Sequence, residues 1–342
     1  MTIALDATYS LGRNLSGVGV YSRELLFGLA RAHPEERFRF CYRPHRFLPS
    51  FRETLPWNAS RSLLIGAPPG NLFHALNQRV DFPSGSGPRR VVSTFHDLFV
   101  MTGDYSSPEF RARFTEQARS AADRSDAVIA VSRFTAGQLE ALLKVDRTRI
   151  FVIPHGVYPA PETLVERKNM VLFVGAIQRR KNVARLVRAF EKMPGDWKLV
   201  LAGASDGYGA AEELQAVNDS PRRSSIELLG YISNSELHRL YRRARIFAFP
   251  SLDEGFGMPV LEAMAYGVPV IASQSSALPE VAGDAALLID PMDSDALADA
   301  LLRLATNPDL RDDLVHRGLE RARAFTWESA VERTWSVYNE LK

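Results

Sequence analysis

The chain is poor in cysteine: Cys41 is the single one among 342 residues. That excludes a disulfide-stapled scaffold and a Cys-rich zinc site, and it fits a reducing compartment. No apolar run approaches the ~18 residues needed to cross a bilayer. The opening MTIALDATYS has neither a basic n-region nor an apolar h-region, so no secretory leader is expected. The expectation is a soluble cytoplasmic protein. There are no internal repeats, and the one low-complexity patch, PSGSGP at 83–88, is expected to be a mobile loop. No Lys/Arg cluster, zinc module or RNP-like aromatic strand is present, so nucleic acid is not an expected partner.

What is present is an ordinary globular composition, 46% hydrophobic and 24% charged. The length suits two domains of roughly 150 residues. A net charge of +2 conceals an asymmetry. Residues 1–160 carry 20 Lys+Arg against 14 Asp+Glu, and residues 161–342 carry 22 against 26. A basic first half suits an acidic partner such as anionic lipid or a phosphorylated acceptor. A solvated, arginine-rich surface would account for it equally.

Short β-rich runs alternate with helical patterns. The first series is TIALD (2–6), RFRFC (37–41), VVSTF (91–95), AVIAV (127–131) and IFVI (150–153), with helical stretches near 17–32 and 109–122. The second is MVLFV (170–174), WKLVLAG (197–203), SIELLG (225–230), RIFAF (245–249), PVIAS (269–273) and ALLID (286–290). This rhythm predicts βαβ units and parallel sheets covered on both faces. The Pro-rich stretch 153–169 separates the series, and helices are expected at 308–324 and 326–340, with Thr326 as an N-cap. The prediction is an α/β protein of two doubly wound domains with a cleft between them, 1–158 and 159–326, the helix 327–342 crossing back onto the first.

The most informative junction is FAFPSLDEGFGMPVLEAMAYGVPVIAS, 247–273. A strand ends at Pro250, a loop carries Asp253, Glu254, Gly255 and Gly257, and Pro259 stands where a helix starts well. Gly-rich backbone before a helix N-terminus suits an anion. Glu254 and Glu262 flank that position, and carboxylates there suit sugar hydroxyls. A tight loop with a capping acid is the structural alternative.

This stretch resembles the signature of the family 4 retaining glycosyltransferases, which have the GT-B fold: Ser251, Glu254, Gly255, Phe256, Gly257 and Glu262 stand at the family's positions. GAIQRRKN (175–182), ELHRLYRRARIFAFPS (236–251), SSALPEVAGDAALLIDP (275–291), SGVGVYSREL (16–25) and TFHDL (94–98) extend the likeness over nearly the whole chain. The resemblance implies a nucleotide-diphospho-sugar donor held by the C-terminal domain. Glu262 would hold the ribose, and Glu254 would face the transferred hexose. Gly255, Phe256, Gly257 and Met258 would offer backbone to sugar and phosphates. Arg180 and Lys181 would clamp the leaving diphosphate in place of a metal; Ala176 stands where some members carry a further Arg. Gly17 and Gly19 would approach the diphosphate from the first domain, His96 would contact sugar or acceptor, and Gly230 and Tyr231 would border the base. His74 and Asn77 are expected on the acceptor side, and Tyr241 and His155 are expected to be structural.

The activity implied is retaining, metal-independent hexosyl transfer without a cofactor. The donor is GDP-linked, with mannose the leading sugar, or UDP-linked. The acceptor is a glycan or lipid-linked saccharide of a surface polysaccharide such as lipopolysaccharide. The segment 41–57 interleaves Arg43, Arg46 and Arg52 with Tyr42, Phe47, Phe51 and Trp57, which suits peripheral contact with an anionic membrane. Two other readings are a silent sugar-binding homologue and a dinucleotide-dependent oxidoreductase. The latter expects a GxGxxG that GVG at 17–19 does not complete.

Overall fold

The computed structural model describes residues 2–12, 15–82, 87–160 and 165–342. Residues 83–86 of the low-complexity patch and 161–164 of the linker lie outside them. The chain divides into two compact units, unit 1 being Met1–Gly156 with Thr326–Lys342 and unit 2 being Val157–Phe325.

Unit 1 holds β1 (Thr2–Asp6), β2 (Arg37–Tyr42), β3 (Ala59–Leu63), β4 (Leu72–Ala75), β5 (Arg90–Phe95), β6 (Ala127–Ala130) and β7 (Ile150–Val152). They form one sheet in the order β3-β2-β1-β4-β5-β6-β7, every pairing parallel. Helices α1 (Gly17–Ala32), α2 (Pro44–Ser50), α3 (Phe99–Thr102), α4 (Pro108–Arg124) and α5 (Arg133–Leu143) connect them. In unit 2, β8 (Met170–Val174), β9 (Lys198–Ala202), β10 (Ile226–Gly230), β11 (Ile246–Phe249), β12 (Val270–Ser273) and β13 (Ala286–Ile289) form a second parallel sheet, β10-β9-β8-β11-β12-β13. Its helices are α6 (Val183–Phe190), α7 (Ala210–Asp219), α8 (Asn234–Arg243), α9 (Met258–Ala265), α10 (Leu278–Ala282), α11 (Ser294–Thr306) and α12 (Pro308–Arg323). Helix α13 (Trp327–Glu340) returns to unit 1. These are two doubly wound α/β units.

Local chemistry explains the boundaries. Central strands such as β4, β6, β11 and β12 are buried throughout, as parallel strands covered on both faces must be. Side-chain oxygens cap the helices: Ser16 accepts from the Gly19 N–H, Ser107 from Phe110, and Thr326 from Ser329. Ser233 and Glu236 form a reciprocal capping box on α8. Helix α13 lies against α1, where a Cβ on Gly28 would stand 2.5 Å from Val331 Cγ2.

Three elements depart from the pattern expected of the sequence. β3 (ASRSL) is a half-buried edge strand with two apolar side chains in five, and β4 is only four residues long and carries a histidine. Neither shows a periodic signal. The 41–57 segment contains α2, which tolerates Pro44 because the first turn needs no N–H there.

The carboxyl ends of β8 and β9 approach closely at two glycines. A Cβ on Gly203, whose φ is +150°, would stand 2.0 Å from the Gly175 carbonyl oxygen. Gly203→Ala is therefore expected to lower unfolding free energy by about 3 kcal/mol, measured by urea titration. An unchanged midpoint would contradict the tight crossing.

Candidate functional site

In each sheet the strand order reverses once, and ligand sites of open α/β sheets lie beyond the carboxyl ends at such a switch point. In unit 2 it falls between β8 and β11. The chain leaving β8 turns at Gly175, enters a 3₁₀ turn at Arg179–Lys181 and passes through Asn182 in the left-handed region (φ 59°) before α6. The chain leaving β11 forms the loop 250–257. The two loops are tied by main chain, with the Leu252 N–H donating to the Arg180 carbonyl at 2.8 Å. Asn182 adds a side-chain tie, its Nδ2 donating to the carbonyls of Pro250 and Pro291 at 3.0 and 2.7 Å.

Between these loops lies an ion triad. Arg180 Nη1 stands 2.7 Å from Glu254 Oε2 and Lys181 Nζ stands 2.6 Å from Oε1. All three side chains are about nine-tenths buried. Arg180 also donates to the Asp253 carbonyl at 2.5 Å, and Lys181 Nζ sits 4.5 Å above the Phe249 ring. The main chain of Glu254 is pinned as well: its N–H donates to Ser276 Oγ at 2.9 Å and its carbonyl accepts from Ala277 at 3.2 Å. Burial would raise the Glu254 carboxyl, but Arg180 and Lys181 outweigh it and hold it down at about 2. The sequence separates a cationic clamp from a sugar-facing carboxylate; the structure pairs them.

Gly257, at φ 109°, starts α9 with no side-chain cap, and Pro259 stands in the first turn. A Cβ on Gly257 would stand 2.5 Å from Leu278 Cδ2. Phe256 is buried, its ring meeting Phe325 edge to face at 6.0 Å. Met258 opens the helix, and Gly255 lies in the loop before it. Glu262 lies one turn in, half-buried, and its Oε2 accepts from Tyr241 Oη at 2.8 Å. Burial raises the Glu262 carboxyl against the pull of that hydrogen bond, and burial together with the Glu262 charge lifts the Tyr241 phenol well above its ordinary value. Tyr241, which reads as helix core from sequence, thus has a polar task, and its 21-residue distance from Glu262 gives no local signal. At the ends of β9 and β10, the Gly203 N–H donates to the Gly230 carbonyl at 2.8 Å, and Tyr231 is 55% exposed.

In unit 1, His96 follows β5 and is buried. Its Nε2 lies 3.0 Å from the Leu76 carbonyl, so that nitrogen carries the proton and donates. Its ring stacks on His155 at 5.3 Å and meets Tyr21 edge to face at 4.7 Å. Burial lowers His96 to about 4 and His155 well below the usual histidine range, so both are neutral near pH 7. Tyr21 Oη and His74 Nε2 each lie 2.8 Å from Thr94 Oγ1, and His74 Nδ1 lies 2.6 Å from Tyr338 Oη. Gly17 opens α1. The Gly19 N–H is taken by Ser16, and the missing Gly19 Cβ accommodates the Tyr9 carbonyl, which would be 2.9 Å from it. The local geometry gives Gly19 a capping and packing task.

Comparison with known proteins follows the same division. Residues 157–321 match the family model described as glycosyl transferases group 1, and residues 9–160 match glycosyltransferase family 4. The chain is 30% identical to the Escherichia coli protein named O-antigen chain mannosyltransferase B, over 98% of this chain and 99% of that one. Sucrose-phosphate synthase from Thermosynechococcus elongatus has a similar fold, with TM-score 0.80 at 24% identity over 99% and 98% of the two chains. So does Anabaena HepE, solved with UDP and glucose, with TM-score 0.74 at 14% identity over 99% and 100%.

The triad makes a pH prediction. The Glu254 carboxyl falls from an ordinary 4.5 to about 2 on folding. A depressed folded value gives stabilisation that is present above about 4.5 and lost as pH falls toward 2. Between pH ~5 and ~2 the wild type should lose on the order of 3 kcal/mol more than Glu254→Gln, measured by urea unfolding. Parallel pH profiles would contradict the assignment.

Proposed function

The chain belongs to the family 4 glycosyltransferases, and on that premise we propose that it is a retaining hexosyltransferase of surface polysaccharide assembly. Its donor is a nucleotide-diphospho-sugar, GDP-mannose first and a UDP-sugar second. Its acceptor is a glycan or lipid-linked saccharide, as in the O-antigen of lipopolysaccharide. The relative named for O-antigen mannosyl transfer supports the sugar and the setting, and HepE with UDP and glucose supports the donor class. The observation that carries the reading is the buried Arg180–Glu254–Lys181 triad at the switch point of unit 2.

In the proposed reaction the bond from the anomeric carbon to the diphosphate oxygen breaks, and its electron pair leaves with the phosphate. The acceptor hydroxyl forms the new bond on the same face, and its proton passes to the departing phosphate oxygen. Arg180 and Lys181 meet the new negative charge more strongly in the transition state than before it. Glu254, held ionised, faces positive charge developing on the sugar ring, and Glu262 takes the ribose. Preformed cations give a reason for turnover without a metal. A sugar-binding homologue that had lost catalysis would be expected to lack part of this triad.

Membrane contact is part of the proposal. Leu48, Phe51, Trp57 and Ile65 are 76%, 61%, 83% and 66% exposed, with Arg46 and Arg52 exposed among them. Aromatic rings beside arginine suit an anionic headgroup layer. No helix of the described residues is long and apolar enough to cross a membrane. The proposed location is the cytoplasm, at the inner face of the membrane.

Lys181→Ala is expected to lower acceptor-dependent release of nucleoside diphosphate by about 10²–10³-fold, with circular dichroism unchanged. EDTA should leave wild-type release intact. A wild-type rate in the variant, or loss in EDTA restored by Mg²⁺, would overturn the cation clamp. Phe51→Ser with Trp57→Ser should reduce flotation on anionic vesicles severalfold; equal flotation would remove the membrane surface.

A further inference from the structure

The reversal of strand order in unit 1 falls between β1 and β4. Its carboxyl edge carries polar side chains that nothing local explains. Asp6 ends β1 and is fully buried. Its Oδ1 accepts from the Thr8 N–H at 3.0 Å, while Oδ2 has no hydrogen-bond partner among the described residues and lies 4.0 Å from Arg43 Nη2. Asn77 stands two residues past β4 and is 6% exposed; neither its amide nitrogen nor its oxygen has a hydrogen-bond partner among the described residues. The neighbouring Leu76 carbonyl is the one that holds His96. A buried polar atom without a partner is costly and uncommon. Three such atoms on the two strands that flank a switch point mark a place built to hydrogen-bond something else.

The charges at this edge say what. Arg43 Nη1 and Arg79 Nε lie 2.6 and 2.8 Å from Asp81 Oδ2, and Arg43 also faces Asp6. Among the described residues these two arginines are matched by two carboxylates, so the pairs leave no surplus cation for a phosphate. A carboxylate oxygen and a primary amide supply acceptors and donors together, which suits vicinal hydroxyls. We propose that the carboxyl edge of β1 and β4 is a subsite for an uncharged sugar ring of the acceptor, with Asp6 and Asn77 taking its hydroxyls. The identification of that ring as acceptor rests on the glycosyltransferase reading; the binding of a neutral sugar does not. Asp6 and Asn77 are binding residues of this subsite, and any charged or lipid portion of the acceptor is held elsewhere.

The test uses the full chain with methyl α-mannopyranoside as probe and inorganic phosphate as charged competitor, read by saturation-transfer NMR. Wild type should bind the glycoside, and phosphate should not displace it. Asn77→Leu and Asp6→Asn should each weaken binding at least tenfold while leaving nucleotide affinity, measured by calorimetry, unchanged. Removing an unpartnered amide should leave the Asn77→Leu melting temperature equal or higher, which separates lost recognition from lost folding. In the transfer assay the acceptor KM should rise tenfold with donor KM constant. Unaltered glycoside binding in both variants, displacement by phosphate, or a matching rise in donor KM would overturn the subsite. A wild type that binds glycoside but transfers nothing would instead overturn the enzyme reading and leave the subsite standing.

Discussion

Two buried cations closing on one buried carboxylate are the constraint on which unit 2 depends. Removing Glu254 would take away the carboxylate that Arg180 and Lys181 share in a low-dielectric site, at a cost of several kcal/mol. The same residues carry the main-chain ties between the loops that follow β8 and β11. Fold and candidate chemistry therefore share one set of contacts.

The two units solve the same topological problem with different electrostatics. Both sheets are wholly parallel, and both reverse strand order once, so each presents loop residues at a carboxyl edge. Unit 2 places the buried Arg180–Glu254–Lys181 triad and a glycine-led helix start there. Unit 1 places balanced arginine–aspartate pairs and buried neutral histidines there. The first suits a charged leaving group and the second an uncharged polyol. The overall charge asymmetry of the sequence does not predict this: the more basic half has the neutral edge, because its arginines largely face solvent or pair locally.

Much of this was legible beforehand for identifiable reasons. Helical patterns marked α1, α4 and α13, and Thr326 stands as the N-cap of α13 as expected. Short β-rich runs marked every strand except β3, which is mostly polar, and β4, which carries a histidine. Arg180, Lys181, Glu254 and Glu262 stood out as charged residues in glycine-punctuated loops and first turns. The pairing of Glu254 with the two cations was invisible, since 73 residues separate Lys181 from Glu254 and only the β8–β11 neighbourhood joins them. The hydrogen bonds of Tyr241 to Glu262 and of Ser276 to the Glu254 N–H were invisible in the same way. Each residue is unremarkable in its own segment and gains that partner through tertiary contact alone.

The discontinuity of unit 1 has an effect on biosynthesis. Its α1 face, the His74 ring and the Trp327 neighbourhood of Tyr21 are completed by α13, which emerges from the ribosome only after all of unit 2. The first 156 residues must therefore wait, with an apolar stripe around Gly28 and Leu29 uncovered, while the later unit can close as soon as its own strands are out. The last contacts of the first unit are therefore made only after the whole of the second has been synthesised.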